Sequence, residues 1–128
     1  MRIAIWAIFL AAVSGNAAAG WVAVSGTDRF ITFADPATIS KAGDTVKMWD
    51  LLDYKAPREV EGIRYLSQKS QSEYNCREQL TRPLVLFLHS KMMGSGEAVF
   101  NSSTPDDWRR VAPGSVNEAL LKYACGVQ

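Results

Sequence analysis

The segment from Ser115 to Gly126 has the clearest helical pattern in the chain, and it follows a long region of β-type segments. Ser115 is a predicted N-cap with Glu118 three residues later, the spacing of a capping box, and Gly126 stands where the helix should end. Apolar residues fall on one face at helical spacing: Val116, Leu120, Tyr123, Ala124 and Val127. Strands followed by one terminal helix predict an α+β domain, with an antiparallel sheet covered on one face by the helix.

The predicted strands alternate with turn residues. β-rich runs cover 21–25 and 29–34, and Asp35–Pro36 is expected to end the second run because proline lacks the N–H that a strand ladder needs. Residues 45–54 form a predicted mid-sheet strand with apolar side chains on both faces. Val46, Met48 and Leu52 lie on one face, and Trp49 and Leu51 on the other. Residues 84–89 are the most apolar run and are predicted to be the centre of the sheet.

The first 19 residues have the three-part layout of a secretory signal peptide. Arg2 precedes an apolar run far shorter than the roughly 20 residues that span a bilayer. Small residues up to Ala19 suit signal peptidase, so cleavage is expected after Ala19, leaving residues 20–128 as one domain. No cysteine follows the run, so no lipid anchor is expected. The sequence predicts an exported protein, located in the periplasm, at the outer cell surface or outside the cell.

The charge balance bears on the class of partner. The chain has 14 Lys and Arg residues against 13 Asp and Glu residues, and loss of Arg2 with the signal peptide leaves 13 of each sign. Nucleic-acid binding needs an excess of basic residues, so a neutral domain argues against such a partner. No second long apolar segment is present in the sequence, so no integral membrane segment is expected after signal cleavage.

Cys76 and Cys125 are the two cysteines of the sequence. In an exported protein an even count favours a disulfide bond. The alternatives are a metal pair or a nucleophile, but one histidine and two widely separated cysteines make a poor ligand set. A bond between them would tie the helix to the sheet and stabilise the fold by roughly 4 kcal/mol on the chain-entropy model.

The sequence offers little for catalysis. His89 is followed directly by Ser90, and adjacent strand residues point to opposite faces, so a hydrolase triad is not expected from this pair. Asp50 and Asp53 are expected to diverge for the same reason. The chain has no phosphate loop, zinc spacing or calcium loop. We therefore predict no enzyme, no catalytic residues, no cofactor and no metal site.

An extended stretch is predicted from Val60 to about Arg82, and its middle, residues 67–73, is polar throughout. A polar strand contributes little to a core, and an exposed strand can offer unpaired N–H and C=O groups to another chain. We therefore predict that residues 63–76 form a contact surface that pairs with a protein partner, or with a second copy in a homodimer. The candidate binding residues are Gln68, Lys69, Ser70 and Tyr74.

Three tryptophans follow the predicted cleavage site, and they are candidates either for the core or for a binding site. Trp21, Trp49 and Trp108 are expected to serve the core, although aromatic side chains also anchor binding sites. Arg109 and Arg110 follow Trp108 and are expected to form a solvated basic pair.

Several short motifs, taken in order, resemble the surface-adhesin protein E family of exported proteobacterial proteins. These motifs are Trp21, Ala37–Ser40, Val46–Tyr54, Ser67, Glu73–Cys76, Met93–Glu97, Trp108–Ser115 and the helical Cys125. The resemblance implies a six-stranded antiparallel sheet with a C-terminal helix tied to it by the disulfide. It also implies an adhesin-like module that binds extracellular-matrix or serum proteins. The alternative is a periplasmic, envelope-associated structural or inhibitor-type protein. An exposed aromatic and polar patch on one sheet face would favour either binding role over catalysis.

Overall fold

The computed structural model describes residues 20–126, so the predicted signal peptide lies outside the described residues. Six strands follow one another across a single antiparallel sheet in chain order, and a two-residue seventh strand pairs with the fifth. The strands are β1 (Val22–Gly26), β2 (Phe30–Ala42), β3 (Thr45–Val60), β4 (Ile63–Asn75), β5 (Leu80–His89), β6 (Ala98–Ser102) and β7 (Arg109–Arg110). A 3-10 turn spans Met92–Gly94, and helix α1 spans Val116–Cys125. The predicted α+β class and six-stranded antiparallel sheet are confirmed.

Helix α1 begins and ends at the predicted residues. The Ser115 hydroxyl accepts the N–H of Glu118 at 3.2 Å, and a Glu118 carboxylate oxygen accepts the N–H of Gly114 at 2.9 Å. Gly126 adopts the left-handed conformation, with φ at 79°, and its N–H bonds to carbonyls of the last helical turn. The return bond of the capping box is therefore made one residue earlier than predicted, while the helix bounds are confirmed.

The helix packs across one face of the sheet. Its side chains Leu120, Leu121 and Ala124 point toward the sheet and are buried. They meet a set of buried strand residues on the facing sheet: Ala34, Val46, Met48 and Tyr74. The predicted Cys76–Cys125 disulfide is present and joins the end of β4 to the last turn of the helix. Burial of this apolar surface and the covalent link together fix the helix on the sheet.

The second strand does not end at Pro36, contrary to the sequence prediction. Its pairing with β3 shifts register between Asp35 and Ser40, so Pro36 lies in a bulge where no ladder N–H is required. The Thr38 hydroxyl donates to the carbonyl of Asp35 and accepts the N–H of Trp49, at 2.7 and 3.0 Å. A side chain thus replaces the missing ladder bonds and lets the strand continue.

The third and fourth strands form the longest hairpin. Val60 pairs with Ile63 across a two-residue turn, and both turn residues, Glu61 and Gly62, have positive φ. The predicted extended stretch from 60 to 82 is therefore wrong, because this turn and a second one at 76–79 interrupt it. A second cluster of buried aromatic and aliphatic side chains lies near the hairpin: Tyr54, Tyr65 and Leu88.

The centre of the sheet is formed by β3 and β4, and β5 is second from the edge. The prediction that residues 84–89 are central is therefore wrong. The strand is apolar because Leu86 and Leu88 pack into the second cluster on one face, while Phe87 contributes to the opposite face. Apolar residues on both faces of a strand thus show that each face is at least partly covered. They do not show that the strand lies in the middle of the sheet.

Candidate functional site

The strand predicted as a contact surface is enclosed within the sheet. Residues 63–75 pair with β3 along one edge, and residues 67–75 pair with β5 along the other. The backbone N–H and C=O groups of residues 67–75 are therefore already used on both edges, and strand addition along this part of β4 is not available to a partner. The prediction of edge pairing by residues 63–76 is wrong. Polar side chains show what surrounds the two faces of a strand. They do not show whether its edges are hydrogen-bonded to neighbouring strands.

The four predicted binding residues lie on opposite faces of the sheet. Gln68, Ser70 and Tyr74 pair with the residues of β3 that face the helix, whereas Lys69 points to the other face. Tyr74 is 1% exposed and Ser70 is 6% exposed, so neither side chain forms part of an outer surface. The four residues thus do not form one binding surface, and Lys69 is the member that lies on the face away from the helix.

The face away from the helix, here called the open face, carries an aromatic and basic cluster. The rings of Trp49 and Phe87 stack across β4 with centroids 6.3 Å apart and an interplanar angle of 22°. The Lys69 ammonium lies 6.0 Å from the centroid of the Phe87 ring. All three side chains are partly exposed. Large aromatic side chains left partly exposed beside a cation are typical of the anchors of protein interfaces.

The bulge in β2 and the 3-10 turn hold this cluster in place. The Thr38 hydroxyl bonds to the backbone of Trp49, which fixes the strand beneath the indole. The turn at 92–94 folds over the neighbouring Leu51, and it is anchored because a carboxylate oxygen of Asp53 accepts the N–H of Met93 at 2.7 Å. Leu51 is buried under this turn, so the open face is covered at one end and exposed around Trp49 and Phe87.

A second aromatic and basic pair extends the same side of the sheet. The guanidinium of Arg82 lies 4.7 Å from the centroid of the Trp108 ring and forms an ion pair with Glu73 at 2.9 Å. Trp21, Trp49 and Trp108 are all partly exposed, so the prediction that they serve the core is wrong. Arg109 pairs with Asp106 at 2.8 Å on the surface, in keeping with a solvated charge. The basic residue that stacks on Trp108 is Arg82, which sequence proximity did not indicate.

The residues considered for catalysis are not arranged as a catalytic unit. His89 is buried, with Nδ1 3.4 Å from the carbonyl of Gly96, while the Ser90 hydroxyl accepts the N–H of Glu97 instead of contacting the imidazole. Asp50 faces the helix and Asp53 binds the 3-10 turn on the open face, as predicted for residues three apart in a strand. Among residues 20–126 no group of three or more acidic, histidine or cysteine side chains is placed to hold a metal ion.

The opposite side of the sheet contains a pocket between the first turn of α1 and strands β3 to β5. Its volume is about 420 Å³, and Asp50 lies at its wall. Burial raises the pKa of the Asp50 carboxyl to about 8. Burial and the nearby Asp50 also raise the pKa of Tyr74 above its usual range, while a hydrogen bond with Ser72 opposes the shift. The sequence did not indicate that Asp50 is buried, because an aspartate between apolar residues in a strand is usually exposed.

A model of the surface-adhesin protein E family matches residues 21–126, which is nearly the whole described domain. The chain belongs to the surface-adhesin protein E family. The family resemblance drawn from the sequence motifs is therefore confirmed. No match to this chain is found among curated proteins.

Solved structures of Haemophilus influenzae protein E share the fold. Crystal form II of that protein superposes with a TM-score of 0.67 at 11% sequence identity, covering 84% of this chain and 88% of the other. A further structure of the same protein gives a TM-score of 0.64 at 11% identity, covering 84% and 85% of the two chains. A structure from a non-typeable strain gives 0.57 at 10% identity, covering 84% and 76%. At this level of identity the likeness shows the fold alone.

Membership of a surface-adhesin family gives information on the location of the protein and on its general role. It supports an adhesin-like module and implies an exported protein. Within the described part of the chain, no helix is both long and apolar enough to cross a membrane.

Proposed function

We propose that this family member is an exported protein-binding module whose contact surface is the open face of the sheet. The observation that carries the proposal is the cluster of Trp49, Phe87 and Lys69, which is partly exposed and pre-organised by stacking. Rigid aromatic rings beside a cation supply contact area at low entropic cost. The partners implied by the family are extracellular-matrix or serum proteins.

The charge of the open face indicates the chemistry of the partner. Within residues 20–126, Lys69 forms no ion pair, and its ammonium is held against an aromatic ring. A partner that places a carboxylate beside Lys69 and an apolar side chain over Trp49 would fit both features. Of the residues predicted from the sequence, Lys69 is the one that remains in the proposed contact surface.

The test is binding of the purified protein to immobilised matrix and serum proteins, measured by surface plasmon resonance. Lys69→Glu and Trp49→Ala are each expected to weaken binding by about tenfold or more, since truncation of interface anchors costs about 2 kcal/mol. Lys122→Glu makes the same charge change on the exposed side of the helix and serves as the control. Wild-type binding by both open-face variants would contradict the proposal.

The alternative role differs in the location of the partner. A periplasmic structural or inhibitor-type protein would use the same face against another envelope protein. Membrane-impermeant labelling of intact cells separates the two roles, because only a surface-displayed module is labelled. The outer edges of β1 and β6 pair with no described strand, so a homodimer built by strand addition could use either of them. Sedimentation equilibrium of the purified protein tests whether such a dimer forms.

We also propose that the mature protein begins at Gly20 and carries no lipid. The support is the signal-peptide pattern that ends at Ala19, in a family of exported proteins. Intact-mass spectrometry of the exported product is expected to give the mass of an unmodified chain, residues 20–128, with one disulfide. A retained segment before Gly20, or an added acyl mass, would contradict this proposal.

A further inference from the structure

The pocket beneath the helix contains one buried carboxyl group. Asp50 is 3% exposed and lies at the pocket wall. Within residues 20–126 no cationic side chain forms an ion pair with its carboxylate. Buried charged groups in folded proteins are nearly always paired, so this site lacks a charged partner.

The other side chains of the pocket are neutral. Among its lining residues Asp50 is the only ionisable one, and no protein cation offsets its charge. Ser70 pairs directly with Asp50 across the strands, and Ser72 and Gln68 lie on the same side of β4. The carboxyl group is thus surrounded by hydroxyl and amide groups that can accept hydrogen bonds.

The rest of the pocket wall is mixed: Ser115 and Asn117 add polar groups at the start of the helix, and the other lining residues are apolar. Leu52 and Leu86 line it from the sheet, and Val116 and Leu120 line it from the helix. A polar base with an apolar wall selects for a ligand that has the same two parts. The volume of about 420 Å³ accommodates a short aliphatic chain with a charged head.

The first turn of the helix is an alternative electrostatic partner for Asp50. The positive end of a helix dipole would stabilise the ionised carboxyl group and lower its pKa. The pKa of Asp50 is instead raised, with burial as the cause. Glu118, in that first turn, already accepts the N–H of Gly114 and lies 4.0 Å from the Lys122 ammonium. Burial therefore outweighs any effect of the helix end on the carboxyl group of Asp50.

We infer that this pocket binds an alkylammonium group, with the ammonium head at Asp50 and the aliphatic stem against Leu86 and Leu120. An ammonium has three donors on a compact head, which suits one carboxylate and the hydroxyls of Ser70 and Ser72. The inference is independent of the proposed function, because this pocket and the open face lie on opposite sides of the sheet.

The ammonium has two possible sources that share this chemistry. It is either a free small amine or a lysine side chain of a partner protein. Butylammonium and Nα-acetyl-lysine methylamide serve as probes for the two sources, and butanol serves as a neutral probe of the same length. Binding is followed by shifts of the backbone amide NMR signals of residues 70, 86 and 116 in the intact oxidised protein.

Binding is expected to strengthen as pH rises, because the ammonium pairs with the ionised carboxylate. The probe stays protonated over this range, and Tyr54 and Tyr74, which lie on this side of the sheet, stay neutral because their pKa values are raised. With the pKa of Asp50 at about 8, the ionised fraction rises from about 1% at pH 6 to about half at pH 8. The apparent affinity should therefore rise roughly 50-fold between these pH values.

Asp50→Asn is expected to remove saturable binding of butylammonium, whereas Asp107→Asn, at an exposed carboxylate, should leave it unchanged. A second measurement needs no variant: the ¹³C titration of the Asp50 carboxyl group should move to lower pH on addition of butylammonium. Binding of both amines supports a lysine or a free amine as ligand, and binding of butylammonium alone supports a free amine. Equal binding of butanol, or an Asp50 titration that butylammonium leaves unchanged, would overturn the inference.

Discussion

The buried Asp50 should make the stability of the fold fall as pH rises. Its pKa is raised from 3.8 to about 8 in the folded protein. Between these values the folded state holds a proton that the unfolded state has released, so the unfolding free energy decreases with increasing pH. The stabilisation that comes from keeping Asp50 protonated in the folded state is complete below about pH 4. It is lost progressively up to about pH 8, and no further loss is expected above that pH.

The size of the effect follows from the shift. Each unit of pKa shift corresponds to about 1.4 kcal/mol, so a shift of about four units gives at most about 6 kcal/mol. Asp50 is 3% exposed, so little screening by bulk solvent is expected, although water in the adjoining pocket reduces the value. Domains of this size have total stabilities of about 5–15 kcal/mol, so even half of this effect is measurable.

The assay is urea unfolding of the oxidised protein at pH 5, 6, 7 and 8, followed by tryptophan fluorescence. Asp50→Asn keeps the shape of the neutral acid and cannot ionise. The variant is expected to exceed the stability of the wild type only slightly at pH 5, where the unfolded carboxyl is already mostly ionised, and by several kcal/mol at pH 8. The difference between the two proteins isolates Asp50 from other titrating groups, and Asp107→Asn provides the exposed control. A difference that stays constant from pH 5 to 8 would refute the burial argument.

Three further predictions concern the stability of the fold. Replacing Cys76 and Cys125 with alanine should lower the unfolding free energy by about 4 kcal/mol, because the bond closes a separation of 49 residues, and chemical denaturation should match that of the reduced wild type. Ser115→Ala should lower the unfolding free energy by about 1 kcal/mol through loss of the helix cap, and this should appear as a lower thermal midpoint. An unchanged midpoint would contradict the capping role. Gly96→Ala should cost about 1–3 kcal/mol, because φ is +75° and the new Cβ would lie 2.5 Å from the Ser90 hydroxyl; wild-type stability in urea would show that this loop relaxes freely.

The features predicted correctly from the sequence depend on local signals. The bounds of α1 follow from Ser115 and Gly126, whose capping chemistry acts within a few residues. The disulfide follows from the cysteine count and the exported class, which need no knowledge of the sheet. The alternation that places Trp49 and Leu51 opposite Met48 also follows from the period of a strand.

The features that the sequence did not indicate depend on strand order. Nothing local to residues 63–75 states that both edges of β4 are paired, so its polar side chains suggested a free strand. The stacking of Trp49 on Phe87 crosses β4 and joins residues from different hairpins. Pro36 suggested a strand end because the bulge that accommodates it depends on the register of β2 against β3. Register and strand order are long-range properties that a single sequence specifies weakly.

The order of the strands has a consequence for how the chain matures. Each strand from β2 to β6 pairs with the one that precedes it in sequence, so the sheet can grow by successive hairpins as the polypeptide emerges, amino end first. Cys76 closes β4, whereas Cys125 follows every strand of the sheet. The thiol of Cys76 therefore has no partner in its own chain until the whole meander has emerged. With two cysteines in the sequence a single intramolecular pairing is possible, so oxidation locks an assembled sheet and requires no reshuffling of wrong bonds.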